Sequence, residues 1–598
     1  MTPPADRWDE VTAGDVRWRI AADLRDQLLG PDGLRLEEWL QAGQAQIVKQ
    51  GPHRIVYRVS LADGQVVYLK HNLLPDSRAW LRQLVRPSKA RTECDRAVAI
   101  AARGVPTVTP LAVGERQALL GACDSYIVTR SLDDTQTLNS FLATVLAPMP
   151  APRHGRVRRN LARALGEFVA RLHDAGVMHN DFHAANILVR LEGDEPRLFL
   201  IDLNTVRLGA PLSWAASREN LIVLTRWFVP RVSRADRLRF WRAYFVARGM
   251  GVWPRGPLGP TDHFAFAGEV EAGALYSTLA FWKNRDPRCF ANNRYYRRLR
   301  GRGVAGHAVA DFDRMTLAAL VADPDAPFRR PGVKLLKDSR SSTVAELEVP
   351  HRGGVKRVIY KRFRLTTWTD PWAALVRRSP ALRSWMFGHG FRERCLPTAR
   401  PLVVLHRTRA GLRREGYLLC EKIENAVDLH GYVENLSRRS AAEARRSLCT
   451  CIDAVARAVR LLHRCRLSHR DLKAANLLLT DNLERPASPF QPLDEVSPGG
   501  GISSLLPLPA SAVWFIDLVG VRLHSHLSRS RRAQNLARLN ASFLQSDSVT
   551  RTDKLRFLRA YLVWNLRGRG GWKAWWRAVA RATVAKVARN QARNRVLA

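Results

Sequence analysis

One eight-residue pattern occurs twice in the chain and constrains most of what the rest can be. It reads His179-Asn180-Asp181-Phe182-His183-Ala184-Ala185-Asn186 in the first half and His469-Arg470-Asp471-Leu472-Lys473-Ala474-Ala475-Asn476 in the second. Each copy is followed by an apolar run that delivers a second aspartate, Leu200-Ile201-Asp202-Leu203-Asn204 and Phe515-Ile516-Asp517-Leu518-Val519. These are the groups that phosphoryl transfer requires. One carboxylate accepts the proton of an attacking hydroxyl, while the Asn and the second Asp hold divalent cations against the transferring phosphate. A single H-x-D-x-x-x-x-N match is weak; two copies, each with its second Asp on an apolar strand, are a specific signal.

The surroundings of the pattern are duplicated too. Ile55, Tyr57 and Val59 alternate with Val56, Arg58 and Ser60, Asp63-Gly64 marks a turn, and Val66-Val67-Tyr68-Leu69-Lys70 follows. This predicts a β-hairpin ending in a lysine. The shape returns at Gly353-Gly354 and Val358-Ile359-Tyr360-Lys361. A lysine on such a strand can pair with nucleotide phosphates. A helix over Ser88–Arg103 and a Val105-Pro106-Thr107 turn are matched by a helix over Ser384–Arg394 and Leu396-Pro397-Thr398. Glu93, thirteen residues before Pro106, is placed to orient Lys70, whereas Ser384 stands thirteen before Pro397, so the second copy is expected to lack that ion pair.

Tyr126–Thr129 and Tyr417–Glu421 read as strands leading into a hinge where an adenine would meet backbone groups. Leu165, Phe168, Val169 and Leu172, at helical spacing within Leu161–Ala175, predict a long helix ahead of the first loop, with Cys451–Cys465 its counterpart. Further on, Arg237-Leu238-Arg239-Phe240-Trp241-Arg242-Ala243-Tyr244 matches Lys554-Leu555-Arg556-Phe557-Leu558-Arg559-Ala560-Tyr561. Asp181 and Asp471 lie 290 positions apart, the spacing of duplicated domains rather than of a solenoid.

The fold class expected is α+β: two tandem bilobal domains, each a small antiparallel β N-lobe and a mainly helical C-lobe. Residues 1–45 read as an N-terminal leader, 46–300 as the first domain, 301–330 as a linker and 331–598 as the second domain. Within the second, 481–511 is a Pro-, Ser- and Gly-rich flexible insert and 571–598 a basic C-terminal helix.

A balance of 96 Lys+Arg against 54 Asp+Glu, net +42, favours polyanionic partners: nucleic acid, an anionic membrane face or a phosphorylated glycolipid. The plainer reading is solvated Arg-rich faces. Eight Cys without a C-x-x-C pair read as reduced core thiols in the cytoplasm. Met1-Thr2-Pro3-Pro4-Ala5-Asp6 lacks the pattern of a signal peptide. No apolar run is long and uncharged enough to span a bilayer; the stretch that comes nearest, Leu505 to Val521, is broken by Pro507, Pro509 and Asp517, so any membrane contact is expected to be peripheral.

On the two loops, the lysine strands, the Pro-Thr turns and the Ile-Asp-Leu strands, both halves resemble the protein-kinase-like superfamily. Within it they are most similar to the bacterial lipopolysaccharide kinase family, which phosphorylates heptose or 3-deoxy-octulosonic acid in the lipid A–core. The resemblance implies ATP and Mg²⁺ as cofactors. It implies Asp181 and Asp471 as catalytic bases, and Asn186 with Asp202 and Asn476 with Asp517 as Mg²⁺ ligands. Lys70 and Lys361 would hold the nucleotide phosphates, with Glu93 orienting Lys70, and His179 and His469 would brace the loops. Three features depart from the pattern. Neither half has a G-x-G-x-x-G loop, offering only Gln50-Gly51-Pro52 and Ser339-Arg340-Ser341-Ser342; the metal strands end Asp-Leu-Asn and Asp-Leu-Val rather than Asp-Phe-Gly; and Ser384 replaces Glu.

The function expected is ATP-dependent phosphorylation of a sugar hydroxyl on a lipopolysaccharide-core or other envelope glycan, with an anionic glycolipid or sugar as acceptor and the first half as main catalyst. The alternatives are a Ser/Thr protein kinase, whose Ala-Pro-Glu segment is absent after both Asp202 and Asp517, and a kinase-fold scaffold with one inactive half. Nucleic acid is not expected as a partner, since no reader motif accompanies the charge. Trp572, Trp575 and Trp576 beside Arg577, Arg581 and Arg589 predict peripheral contact with the cytoplasmic face of the inner membrane. The competing reading of that helix is packing on its own lobe.

Overall fold

The structure is a computed structural model that describes residues 8–51, 53–73, 87–116, 124–228, 232–249, 260–301, 303–351, 354–365, 377–410, 412–480, 513–562 and 571–592. The expected 481–511 insert, the first residues and most of the Gly/Pro-rich stretch from Pro254 lie outside them. The described residues form two compact units, one ending at Thr278 and the other beginning at Leu279.

Each unit opens with a seven-stranded antiparallel sheet, and the two sheets share one strand order. In the first it runs Trp8–Ala13, Val16–Ala21, Pro110–Arg116, Ser125–Arg130, Val66–Asn72, Arg54–Ser60, Ala45–Gly51. In the second it runs Tyr296–Gly301, Val304–Val309, Pro401–Arg409, Leu412–Glu421, Gly354–Phe363, Ser342–His351, Lys334–Asp338. The expected lysine hairpins are therefore present, with Val56 opposite Lys70 and Val344 opposite Lys361.

Two expected boundaries are corrected. Of the expected 1–45 leader, the described residues from Trp8 belong to the first unit: Val16–Ala21 pairs with Pro110–Arg116 and buries Val16, Trp18 and Ile20 while Arg17 and Arg19 face outward. This alternation makes it half of a sheet face. A Cβ at Gly114 would lie 2.7 Å from the Trp18 ring, so the partner strand needs glycine there. Nor does 301–330 link two domains. Val304–Val309 pairs with Pro401–Arg409 as Val16–Ala21 does in the first unit, and the first domain ends before residue 300. The Arg-rich sequence Tyr296–Gly301 hid a strand because Arg297 and Arg298 fall on opposite faces, so no apolar alternation marks it. The stretch about 250–330, read as lying outside the repeat, thus contains part of it.

One helix follows the lysine hairpin in each unit. Lys89–Ala102 is capped by Ser88, whose Oγ accepts from Arg91 N at 3.1 Å. The second helix begins at Pro380, earlier than expected, because Ser379 caps it by accepting from Leu382 N at 3.2 Å and Pro380 fits the first turn. Counted from the caps, Glu93 and Ser384 are equivalent, and both are buried.

The helical lobes rest on Ala151–Asp174 and Ala441–Arg464. In the first, Leu165, Phe168, Val169 and Leu172 pack with Trp241 and Tyr244 in one core. In the second, the C-terminal helix Gly571–Gln591 packs on Arg529–Ala541 and Arg551–Leu562. Trp575, 5% exposed, lies beneath the Arg529 and Arg532 guanidiniums, and Thr583 bonds Asn540 at 3.1 Å. Trp575 is thus engaged by its own lobe, as the packing reading of this helix expects, while Trp572 and Trp576 are half-buried. Among the described residues no helix is long and apolar enough to cross a membrane.

Candidate active sites

In the first unit Lys70, on its strand, forms an ion pair with Glu93 Oε1, and the Glu93 side chain is fully buried. The other oxygen, Oε2, accepts from Asn204 Nδ2 at 2.9 Å. Asn204 follows the metal-strand Asp202, so one carboxylate ties lysine strand, helix and metal loop together. Arg96, one turn beyond Glu93, donates to the carbonyls of Leu203 (3.1 Å) and Asn204. Asp202 has φ +59, left-handed backbone that L-residues adopt at a cost. Arg54 Nη1 lies 3.4 Å from Asp202 Oδ1. Burial pushes the Asp202 carboxyl up, but Arg54 and Lys70 outweigh it and hold it below the ordinary carboxylate value.

The loop below is braced by backbone and imidazole. Asn186 Nδ2 donates to Asp181 O at 2.9 Å, and Ile201 N donates to the Asn186 backbone O at 3.0 Å, so these two bonds engage the side-chain NH2 and the main chain. His179 Nδ1 accepts from Asp181 N at 3.2 Å while Nε2 donates to Ile201 O at 3.3 Å. Burial lowers the His179 pKa, so the ring serves as a neutral brace, as expected. Asp181 is exposed, and a hydrogen bond from His183 Nε2, 3.4 Å from Oδ2, lowers its pKa and keeps it ionised as an acceptor. The Pro106-Thr107 turn joins the metal strand: Leu200 N donates to Pro106 O at 2.9 Å and Thr107 Oγ1 to Leu200 O at 2.7 Å.

The second unit repeats the loop but not the network above it. Asn476 Nδ2 donates to Asp471 O at 2.8 Å and to Asp471 Oδ2 at 3.1 Å, His469 bridges Asp471 N and Ile516 O, and Thr398 Oγ1 donates to Phe515 O at 2.7 Å. Asp517 has φ +53. Glu93, Arg96 and Asn204, however, are replaced together by Ser384, Phe387 and Val519. Lys361, expected to lack an anchor, has one: its Nζ lies 2.9 Å from Asp517 Oδ1. The one carboxylate on the Pro380–Glu393 helix, Glu393, is held instead by Arg285 at 3.3 Å. Burial would raise the Asp517 pKa, yet Lys361 draws it below the ordinary value.

The expected residues therefore converge in the first unit, and in the second Lys361 meets Asp517 beside the Asp471–Asn476 loop. Sequence reasoning missed Asn204, Arg96 and Arg54. Asn204 was visible as the departure from Asp-Phe-Gly, and Arg96 lies one helical turn beyond Glu93; Arg54 carried no signal beyond its place after the turn.

An antiparallel sheet with one capped helix and a charged lysine strand, above a helical lobe bearing the His-x-Asp loop, defines a protein-kinase-like fold in each unit. The Lipopolysaccharide kinase (Kdo/WaaP) family profile matches residues 50–244 and 355–487. The chain belongs to that family. It is 32% identical over 148 residues to lipopolysaccharide core heptose(I) kinase WaaP of Pseudomonas aeruginosa, 24% of this chain and 54% of that protein. It is 29% identical over 134 residues to a 3-deoxy-D-manno-octulosonic acid kinase of Haemophilus influenzae, 22% of this chain and 51% of that one. The chain thus spans about half the length of these curated relatives. Among solved structures it is similar to WaaP in complex with acyl carrier protein, at 24% identity and a TM-score of 0.29, covering 40% of this chain and 91% of that one.

Proposed function

We propose that the chain is an ATP-dependent phosphotransferase acting on a sugar hydroxyl of a lipopolysaccharide core, with the first unit as catalyst. The observation that carries this reading is the Lys70–Glu93–Asn204 network above the Asp181–Asn186 loop. The names of the relatives, heptose kinase and 3-deoxy-octulosonic acid kinase, support the acceptor class. Lys70 orients the nucleotide phosphates. Asp181, ionised and exposed, accepts the proton of the acceptor hydroxyl as its oxygen attacks the γ-phosphorus. The Asn186 amide oxygen and the Asp202 carboxylate are hard oxygen donors that fit Mg²⁺. A bound Mg²⁺ supplies charge neutralisation at the phosphates. Arg54 occupies the position that a glycine-rich loop would take and faces the nucleotide from above.

The second unit is slower or silent. Its lysine neutralises the aspartate meant for a metal. The acceptor is membrane-borne, and the exposed Arg577, Arg581 and Arg589 side of the C-terminal helix gives a peripheral contact with anionic headgroups on the cytoplasmic face. Labelled ATP incubated with the full chain and separated lipopolysaccharide, protein and RNA fractions tests the reading. Label is expected in lipopolysaccharide and lost in Asp181→Ala. Label confined to protein, or retained in Asp181→Ala and lost in Asp471→Ala, would overturn it.

A further inference from the structure

The duplication lets one surface be compared in two settings. Strand pairing makes Glu10 equivalent to Arg298, Arg19 to His307 and Glu115 to His406, and the helix caps make Asp95 equivalent to Met386. In the first unit charges balance there: Glu10 pairs with Arg17 at 2.6 Å, Asp95 with Arg19 and Glu115 with Arg91 at 3.8 Å each. In the second unit all three acidic positions have changed, to Arg298, Met386 and His406.

What results is a cleft of about 370 Å³ between the added hairpin, the Pro401–Arg409 and Leu412–Glu421 strands and the start of the Pro380–Glu393 helix. Arg298, Arg300, Arg378 and Arg413, all exposed, stand at its rim; buried His406 and half-buried His307 lie deeper. No acidic residue lines it among the described residues. His307 Nδ1 is buried without a hydrogen-bond partner. Burial, with Arg298 and Arg413 nearby, pushes His307 down to about 4, so the ring is neutral at neutral pH and the cleft's charge rests on the arginines. Phe290, stacked under Arg378 and 5.4 Å from the His307 ring, supplies an apolar wall. Like-charged guanidiniums gathered without carboxylates repel one another unless an anion joins them. Their planar forks match phosphate oxygens two at a time, and the volume falls within the range of small-molecule pockets.

We infer that this cleft binds a phosphate monoester carried on a small ring-shaped body, held by Arg298, Arg300, Arg378 and Arg413. None of Lys361, Asp471, Asn476 or Asp517 lines it, so it is distinct from the transfer site.

The test is calorimetric titration of the full-length protein with glucose 6-phosphate, inorganic phosphate and glucose, without nucleotide or Mg²⁺, alongside sedimentation with phosphatidylcholine vesicles with and without phosphatidate. Arg298→Glu restores the charge found at Glu10 on an exposed strand position, so it is expected to fold; Arg413→Gln is the second variant. The wild type should bind glucose 6-phosphate but not glucose, and each variant should bind about tenfold more weakly. Vesicle binding that needs phosphatidate and falls in both variants identifies a lipid as the source of the phosphate; binding of the soluble ester alone identifies a soluble one. Failure of the wild type to bind any phosphate probe, or equal binding by wild type and both variants, overturns the inference.

Discussion

Replacing Glu93 by the serine found at its equivalent position would convert the first site toward the second. Glu93 is fully buried and both its oxygens are committed, one to Lys70 and one to Asn204. Breaking a buried pair costs about 3–5 kcal/mol, because one charge is left uncompensated. Lys70 has an escape: Asp202 already feels its charge, and Lys361 shows where the ammonium goes when no glutamate is present, 2.9 Å from the metal aspartate. That rescue places the stability loss of Glu93→Ser near the lower limit, about 3 kcal/mol. Activity suffers more specifically. A lysine drawn to Asp202 no longer presents its charge to the nucleotide and also competes with Mg²⁺, so kcat/KM should fall about 10²–10³-fold, or about 3–4 kcal/mol. Urea unfolding and labelled-ATP turnover of the full chain read the two effects separately. Turnover within about threefold of wild type, with an unchanged urea midpoint, would refute the claim that this carboxylate organises the site.

The converse pair, Ser384→Glu with Val519→Asn, should strengthen nucleotide binding by the second unit, read by titration in an Asp202→Asn background; no gain would mean that Lys361 is held for another reason. Arg54→Ala should raise the KM for ATP about tenfold with a smaller change in kcat, as expected for a phosphate contact. Trp575→Ala should destabilise the second unit by about 3 kcal/mol through its lost packing, measured by thermal unfolding. Acid should destabilise both units through a doubled buried histidine. His173 bonds Tyr244 and Asn220, His463 bonds Tyr561 and Asn535, and burial pushes each down to about 3 from 6.5. The unfolded chain therefore takes up the proton first, and stability falls as pH drops from 6.5 toward 3, by about 1.4 kcal/mol per pH unit for each histidine. Above 6.5 these groups contribute no slope, and the lowered Asp202 and Asp517 stay ionised throughout most of that window. A urea midpoint unchanged between about pH 7 and about pH 5 would contradict this.

The elements legible from sequence were those whose chemistry or periodicity is local. The two loops, the Ile-Asp strands, the lysine hairpins and the helix stripe through Leu165 and Phe168 all satisfy a short-range rule. What escaped depended on distant partners. The hairpin Trp8–Ala21 reads as polar until Pro110–Arg116 is laid beside it, and Tyr296–Val309 is masked by arginines that only a sheet face sorts into inside and outside. Lys361 was recognised as lacking a glutamate, but its turn to Asp517 crosses 156 residues. The tryptophans of the last helix were ambiguous in the same way: beside arginines they fit a membrane contact or a packed lobe, and only the lobe beneath, with Arg532 over Trp575, decides what Trp575 meets.

The stitch between the Pro-Thr turn and the metal strand has a mechanical consequence. In the first unit two hydrogen bonds fasten the end of the Lys89–Ala102 helix to Leu200, and the second unit repeats them from Pro397 and Thr398 to Phe515. A sheet pinned to the helical lobe at that point resists sliding over it. Rocking about the pin is the motion this fastening leaves easiest. Travel would be least at the pin and greatest at the far rim, where opening must part Arg54 from Asp202, 3.4 Å apart. Opening to release nucleotide would then be a lever motion that lifts the phosphate end of the cleft first, leaving the fulcrum side closed throughout the cycle.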